Sequence, residues 1–231
     1  MALGRVKAVL LDALGTLVQL VQPWPALVAQ LAARGIDVGE REARDALLEE
    51  MRHYRERCHI AHDRATLARL RAECTEVLRG ALPPRARALP PAELQDALLG
   101  SLRFRPYPEV PAVLEELGAA GVRRVVVSNW DVSLHDVLAT TGLDVLLDGV
   151  VTSAETGSSK PDPAIFAAGL AVADARADEA LHAGDSVDAD VAGALAAGIA
   201  PVLVAREEWD AEAPRGVRVI RSLDGLLGLA S

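Results

Sequence analysis

Val6-Lys7-Ala8-Val9-Leu10-Leu11-Asp12-Ala13-Leu14-Gly15-Thr16-Leu17 is the stretch that decides the fold. An apolar run stops at an acid and then turns on a glycine. Such a run reads as a strand buried on both faces, the kind found inside parallel sheets. Asp12 then stands at the strand's carboxyl end, where open α/β sheets place their ligands. Gly15 frees the backbone to turn sharply, and Thr16 offers a hydroxyl beside the carboxylate. A carboxylate there serves as a nucleophile and metal ligand, or it merely caps a turn. One short motif weighs these two readings about evenly.

Beyond Leu17 the pattern changes. From Pro23 to about Leu102 there are no strand-like runs, and Ala, Leu, Arg and Glu recur at helical spacing. Pro23-Trp24-Pro25 opens a helix that runs to Gly35, with proline at its start and glycine at its end. Two more helices are expected from Glu40 to about Cys58 and from Asp63 to Gly80, and a shorter one from Ala92 to Leu102. Pro106-Tyr107-Pro108 then marks a boundary, after which strands and helices alternate. Strands are expected at Val122–Ser128, Gly149–Thr152, Ala180–Ala183, Pro201–Val204 and Val217–Ile220. Helices lie between them, including Asp188–Ala197, and one closes the chain. Repeated strand–helix units imply a parallel sheet. The expected architecture is α/β: a Rossmann-like parallel-sheet core from residues 1–19 and 103–231, with an α-helical block, residues 20–102, inserted after the first strand.

Composition agrees with a packed domain. Of 231 residues, 51% are apolar but only 3% aromatic, so the core is built from Ala, Val and Leu. The net charge of -9 argues against a generic nucleic-acid binder, which needs a basic face. Two cysteines are too few for a disulfide framework and suit a reducing cytoplasm. No signal peptide or membrane span is expected, because Asp12 interrupts the only apolar start and no sufficiently long apolar run follows. Nothing in the sequence sets the oligomeric state.

Four predicted strand ends carry polar residues: Asp12 with Thr16; Ser128-Asn129-Trp130-Asp131; Lys160-Pro161-Asp162-Pro163; and Gly184-Asp185-Ser186 followed by Asp188 and Asp190. A parallel sheet converges these ends at one edge. A nucleophile, a hydroxyl, an ammonium and a carboxylate cluster then meet, which suits transfer of an anionic group from a small-molecule substrate. Asp12 attacks, Ser128 and Lys160 bind the equatorial oxygens, and Mg²⁺ held by Asp12 and Asp185 offsets the developing charge. Asn129 is expected to orient substrate or the loop, and Asp131 to cap the following helix. Asp190, near the start of the next helix, is weighed as a metal ligand or a supporting partner, against a solvated helix acid.

This order of four motifs resembles the haloacid dehalogenase-like hydrolase superfamily over nearly the whole chain. Asp12-Ala13-Leu14-Gly15-Thr16-Leu17 looks like the first motif, Ser128-Asn129 the second, Lys160-Pro161-Asp162-Pro163 the third. Gly184-Asp185-Ser186 through Asp190 and Gly193-Ala194 looks like the fourth. The resemblance implies a Rossmann-like core, a helical cap, an aspartyl nucleophile and usually Mg²⁺, with the backbone oxygen of Leu14 as a further metal ligand. One departure matters. Phosphatases of the family usually carry a second Asp two residues after the nucleophile, where this chain has Leu14. The family's dehalogenases lack that Asp too, but the metal-free ones also replace the acidic ligand kept here as Asp185. The expectation is therefore a Mg²⁺-dependent phosphatase first, a 2-haloacid dehalogenase second, and a non-catalytic binding member third.

Other residues invite narrower readings. Cys58, His59, His62 and Cys74 suggest zinc, but their spacing fits no common finger. Arg52, Arg55 and Arg57 read better as an exposed helix face than as an anion site. His182 reads as a strand residue packed near the site, not a base.

Overall fold

The computed structural model describes residues 6–206 and 215–229. In chain order the strands are β1 (Ala8–Leu11), β2 (Val18–Leu20), β3 (Phe104–Pro106), β4 (Arg123–Ser128), β5 (Gly149–Thr152), β6 (Ala180–Gly184), β7 (Ala200–Val204) and β8 (Arg218–Ile220). The helices are α1 (Pro23–Ala32), α2 (Glu40–Arg57), α3 (Arg64–Ala81), α4 (Pro84–Arg87) and α5 (Pro91–Ser101), then α6 (Val110–Ala119), α7 (Leu134–Thr140), α8 (Ser153–Thr156), α9 (Pro163–Ala173) and α10 (Ala192–Ala196). The chain divides into two compact units, Met1–Gln19 with Pro106–Ser231, and Leu20–Arg105.

In the first unit six parallel strands form one sheet in the order β5-β4-β1-β6-β7-β8. All four residues of β1 are buried, as expected of a strand covered on both faces. Its register sets Leu11 against Val126 of β4 and Ala183 of β6. The chain leaves β1 toward β4 and β5, then returns to β1's other side for β6, β7 and β8. This reversal makes the carboxyl ends of β1, β4 and β6 the switch point, where such sheets bind ligands. One sheet face, carrying Leu10, Val125 and Val127, packs on Ile165, Phe166 and Ala173 of α9 and on Ala194 of α10. With so few aromatics, Phe166 is the largest fully buried side chain among the described residues, and burying such a ring contributes about 1.5–3 kcal/mol.

The second unit is helical. Prolines at the first turns of α1, α4 and α5 start those helices at little cost, since the missing N–H has no partner there. Asp63 caps α3, accepting a hydrogen bond of 2.7 Å from Thr66 N. Acidic Glu40 and Glu42 open α2, and Arg55 and Arg57 close it, both in accord with the helix dipole. Helix α1 packs on α5 and α2 on α3. Glu50 of α2 is buried beside Cys74 of α3, whose thiol donates to it. No helix among the described residues is long and apolar enough to cross a membrane.

Several elements differ from the sequence expectation, among them β2 and the short helices α4 and α8, which were not expected. The expected helix Asp188–Ala197 is in two parts: a wide π-turn, Val187–Val191, precedes the short α10. The terminal helix is a single 3₁₀ turn, Leu223–Leu226, within the described residues. Strand β3 pairs with β2 where the helical stretch begins and ends, with Val21 N donating to Arg103 O at 2.8 Å. Three residues ending in proline carry no strand period to read.

Candidate active site

Asp12 follows β1 directly, and its backbone N–H donates to Ala183 O of β6 at 2.9 Å. The side chain is buried, 6% exposed. Its Oδ1 accepts from Lys160 Nζ at 2.5 Å and from Ser128 Oγ, at the end of β4, at 3.0 Å. The Lys160 ammonium also donates to Asp190 Oδ1 at 2.6 Å. Four polar residues from distant parts of the chain therefore meet at the sheet's switch point.

The electrostatics follow from burial and crowding. Burial works against the Lys160 charge, but the adjoining Asp12 and Asp190 outweigh it and hold the ammonium above its ordinary range. Burial pushes the Asp12 carboxyl up, with Lys160 and Ser128 pulling against it. Asp190 is held well below the usual carboxylate range, because Lys160 and His182 outweigh its burial. Asp185, just past β6, is an exposed residue whose carboxyl packs against Gly15; the hydration lost there, with the neighbouring Asp12 and Asp190 carboxylates, pushes it up to about 7.

Carboxylate oxygens of Asp12, Asp185 and Asp190 lie within 4.8 Å of one another, a set able to hold a metal ion. They are not equivalent. Asp190 Oδ1 accepts from Lys160 and from His182 Nε2 at 2.8 Å, and its Oδ2 from Ser186 N at 2.9 Å. Asp190 thus bonds to its own chain and anchors the lysine, and it is also one of the three carboxylates grouped here. The turn after Asp12 closes through Val18 N to Ala13 O and Gly15 N to Val18 O, which leaves the Leu14 carbonyl out of the bridge. Oxygen-only donors of this kind suit Mg²⁺.

Backbone shape brings these carboxylates close. Gly15 has φ +85°, and a Cβ there would overlap the Asp185 carboxylate. A Cβ on Gly184 would overlap that of Asp190. The wide turn at Val187–Val191 carries Asp190 back over the end of β6, with Asp190 N and Val191 N both donating to Ser186 O.

Asn129 and Thr16 make contrasting contacts. Asn129 does not face substrate through a free amide: its Nδ2 donates to Lys160 O at 3.0 Å and its Oδ1 accepts from Lys160 N at 2.7 Å. It holds the lysine loop, the other of its two expected roles. The Thr16 hydroxyl is fully buried and has no hydrogen-bond partner among the described residues, so it is not bonded to Asp12. Leu14 is 37% exposed. Asp131 accepts from Ser133 N at 2.6 Å and shapes the turn into α7.

His182 and Arg206 carry more than their sequence context suggests. The His182 ring is fully buried, edge-on to Phe166 at 4.9 Å between centroids, and holds Asp190. Its signal was an unpaired polar residue two before the Gly184-Asp185 pair. Arg206, just past β7, touches the turn after Asp12 and had no sequence signal. The zinc reading finds no support: the group at Asp12 is the one metal-capable cluster among the described residues, and Cys58 and Cys74 are buried and not disulfide-bonded. Arg52 pairs with Glu49 and Arg57 with Glu73 on exposed surface, as a solvated helix face would.

The family model for haloacid dehalogenase-like hydrolases matches residues 6–198. Over 106 residues the chain is 41% identical to a ribulose-1,5-bisphosphate 5-phosphatase of Halopiger xanaduensis, a match of 45% of this chain and 44% of that one. The chain thus spans about half the length of the curated relatives it matches. Among solved structures it is similar to a HAD phosphatase from Thermococcus onnurineus, with TM-score 0.65, 24% identity and 97% of each chain covered. It is similar also to the L-2-haloacid dehalogenase from Xanthobacter autotrophicus, with TM-score 0.68, 24% identity and 97% and 98% of the two chains covered. At these identities the two structures attest the fold, not the reaction.

Proposed function

Because the chain belongs to the haloacid dehalogenase-like hydrolases, we propose that it hydrolyses a phosphorylated small molecule, with Asp12 as nucleophile and Mg²⁺ as cofactor. The observation that carries this reading is the charge of the site. Three carboxylates, Asp12, Asp185 and Asp190, face a single ammonium, Lys160. A phosphate dianion meets net repulsion there unless a cation offsets it. Asp12, Asp185 and the Leu14 carbonyl would hold that cation, with Asp190 behind them. When bound, Mg²⁺ supplies charge stabilisation to the phosphoryl oxygens. The metal-free dehalogenases of the resemblance lack the acidic ligand that Asp185 provides, which supports the phosphatase reading over theirs.

In the proposed reaction an Asp12 carboxylate oxygen attacks phosphorus, and the bond from phosphorus to the leaving oxygen breaks. Ser128 Oγ and Lys160 Nζ then serve the phosphoryl oxygens in place of their present bonds to Asp12. Water attacks phosphorus in the resulting aspartyl phosphate and returns Asp12 with inorganic phosphate. Asn129 and Asp190 hold Lys160 in place from its backbone and its ammonium. Leu14 has no proton to give the leaving group, and general acid help is worth about 10²–10⁴ in rate. Aryl and acyl phosphates, whose leaving groups depart with little help, are therefore the preferred class. The same residue favours a second reading, 2-haloacid dehalogenation, since a halide leaves without a proton. Cys58 and Cys74, buried and not joined in a disulfide, suit a reducing compartment such as the cytoplasm.

The test is hydrolysis of p-nitrophenyl phosphate with and without Mg²⁺, beside Asp12→Asn and a 2-haloacid. Metal-dependent phosphate release that vanishes in Asp12→Asn is the expected result. Metal-independent halide release overturns it in favour of dehalogenation. Phosphate binding without turnover of either substrate leaves a binding protein.

A further inference from the structure

Arg206 lies just past β7, and its side chain is mostly buried, 12% exposed. Its Nε donates to Gly15 O at 3.0 Å, and its Nη2 donates to Thr16 O. Its Nη1 donates to Glu109 Oε1 at 2.7 Å, and the guanidinium plane lies 3.5 Å from the centroid of the Tyr107 ring. Glu109 is fixed in turn, since the same Oε1 accepts from Leu223 N at 3.3 Å. The fork is thus held by a carboxylate and a ring face while it grips two consecutive carbonyls of the turn after the nucleophile. The turn's own bonds, Gly15 N to Val18 O and Thr16 N to Ala13 O, do not use those carbonyls. Gly15 in turn lies against the Asp185 carboxylate, with no room for a Cβ between them.

We infer that Arg206 is a positioning residue of the active site, fixing the Gly15–Thr16 turn so that Asp12, the Leu14 carbonyl and Asp185 keep their places as cation ligands. This rests on the Mg²⁺-dependent reading above. Only arginine fits the role: its planar fork meets two acceptors at fixed spacing and stacks on an aromatic face, whereas a lysine ammonium is a point charge on a flexible stem. Arg206 touches no reacting atom, so its removal acts on cation affinity and kcat. The KM for the phosphorylated substrate, read at saturating Mg²⁺, should change little, because Arg206 bonds to neither Ser128 nor Lys160.

The experiment compares wild-type protein with Arg206→Lys and Arg206→Ala, each well below its melting temperature, by calorimetric Mg²⁺ titration and amide hydrogen exchange. In both variants Mg²⁺ affinity should fall roughly tenfold or more, with exchange faster at the Gly15–Val18 amides and unchanged in β4 and α9. Low-millimolar guanidinium should restore part of the affinity to Arg206→Ala, and methylammonium should not. A purely structural role lowers the melting temperature but leaves Mg²⁺ affinity of the folded protein intact, and that result overturns the inference. So does an Arg206→Lys variant that matches wild type. If wild-type protein itself binds no Mg²⁺, the metal reading falls and this inference falls with it; if wild type binds and Arg206→Ala binds as tightly, only the role of Arg206 is lost.

Discussion

Glu50→Gln should stabilise the helical unit at alkaline pH and do nearly nothing at acid pH. Glu50 is 4% exposed on α2, with the Cys74 thiol as its partner. Burial pushes its carboxyl from the ordinary 4.5 up to about 7, the thiol bond recovering only part of the loss. An acid raised on folding favours the fold fully below its unfolded value and loses that contribution as pH rises through its folded value. The window here runs from 4.5 to about 7. Its width corresponds to about 3 kcal/mol, the penalty for keeping a buried, ionised Glu50 at pH 8. Glutamine has nearly the same volume and no charge to bury, so urea denaturation followed by circular dichroism should find the variant about 3 kcal/mol more stable at pH 8 and within about 0.5 kcal/mol of wild type at pH 4.5. Equal differences at both pH values, or a less stable variant at pH 8, would refute the reasoning. The first result would mean that Glu50 ionises freely in the folded state, the second that its bond with Cys74 outweighs the cost of burying its charge.

Two further changes test the site. Leu14→Asp supplies a proton donor two residues after the nucleophile, so it should raise turnover of an alkyl phosphate by about 10²-fold or more while changing p-nitrophenyl phosphate little; steady-state kinetics on both substrates decide it, and equal effects on the two would count against a missing acid. Gly184→Ala places a methyl group where the Asp190 carboxylate now sits. It should cost about 1–3 kcal/mol in stability through overpacking and lower kcat by misplacing Lys160, and a variant with wild-type kcat would show that Asp190 does not anchor the lysine.

Asp12, Ser128 and Lys160 were legible because each polar residue ends an apolar strand or opens a helix, and a parallel sheet brings such ends to one edge whatever lies between them. The alternation of strands and helices after Pro106 made the order of elements readable for the same reason. Finer roles were not legible, because they depend on which backbone groups arrive nearby. Asn129 has the polarity of a substrate ligand, yet its amide matches both backbone groups of Lys160. Asp190 has the spacing of a metal ligand, yet a π-turn, which no residue pattern announces, aims it at Lys160 and His182. Arg206 meets two carbonyls nearly two hundred positions earlier, a pairing with no local trace.

The placement of β1 also bears on how the chain folds. Strand β1, made before the other strands of its sheet, lies inside it, flanked by β4 and β6. During synthesis it must wait, apolar and unpaired, until the whole helical stretch has emerged and Arg123 can meet Ala8. The site is later still, since Ser128 stands 116 and Lys160 148 residues from Asp12. Contacts of such separation fold slowly, and an exposed apolar strand is a template for aggregation in the meantime. The helical unit, rich in local contacts, can fold early, so at the ribosome it would stand as a finished body between one waiting strand and the partners that complete it.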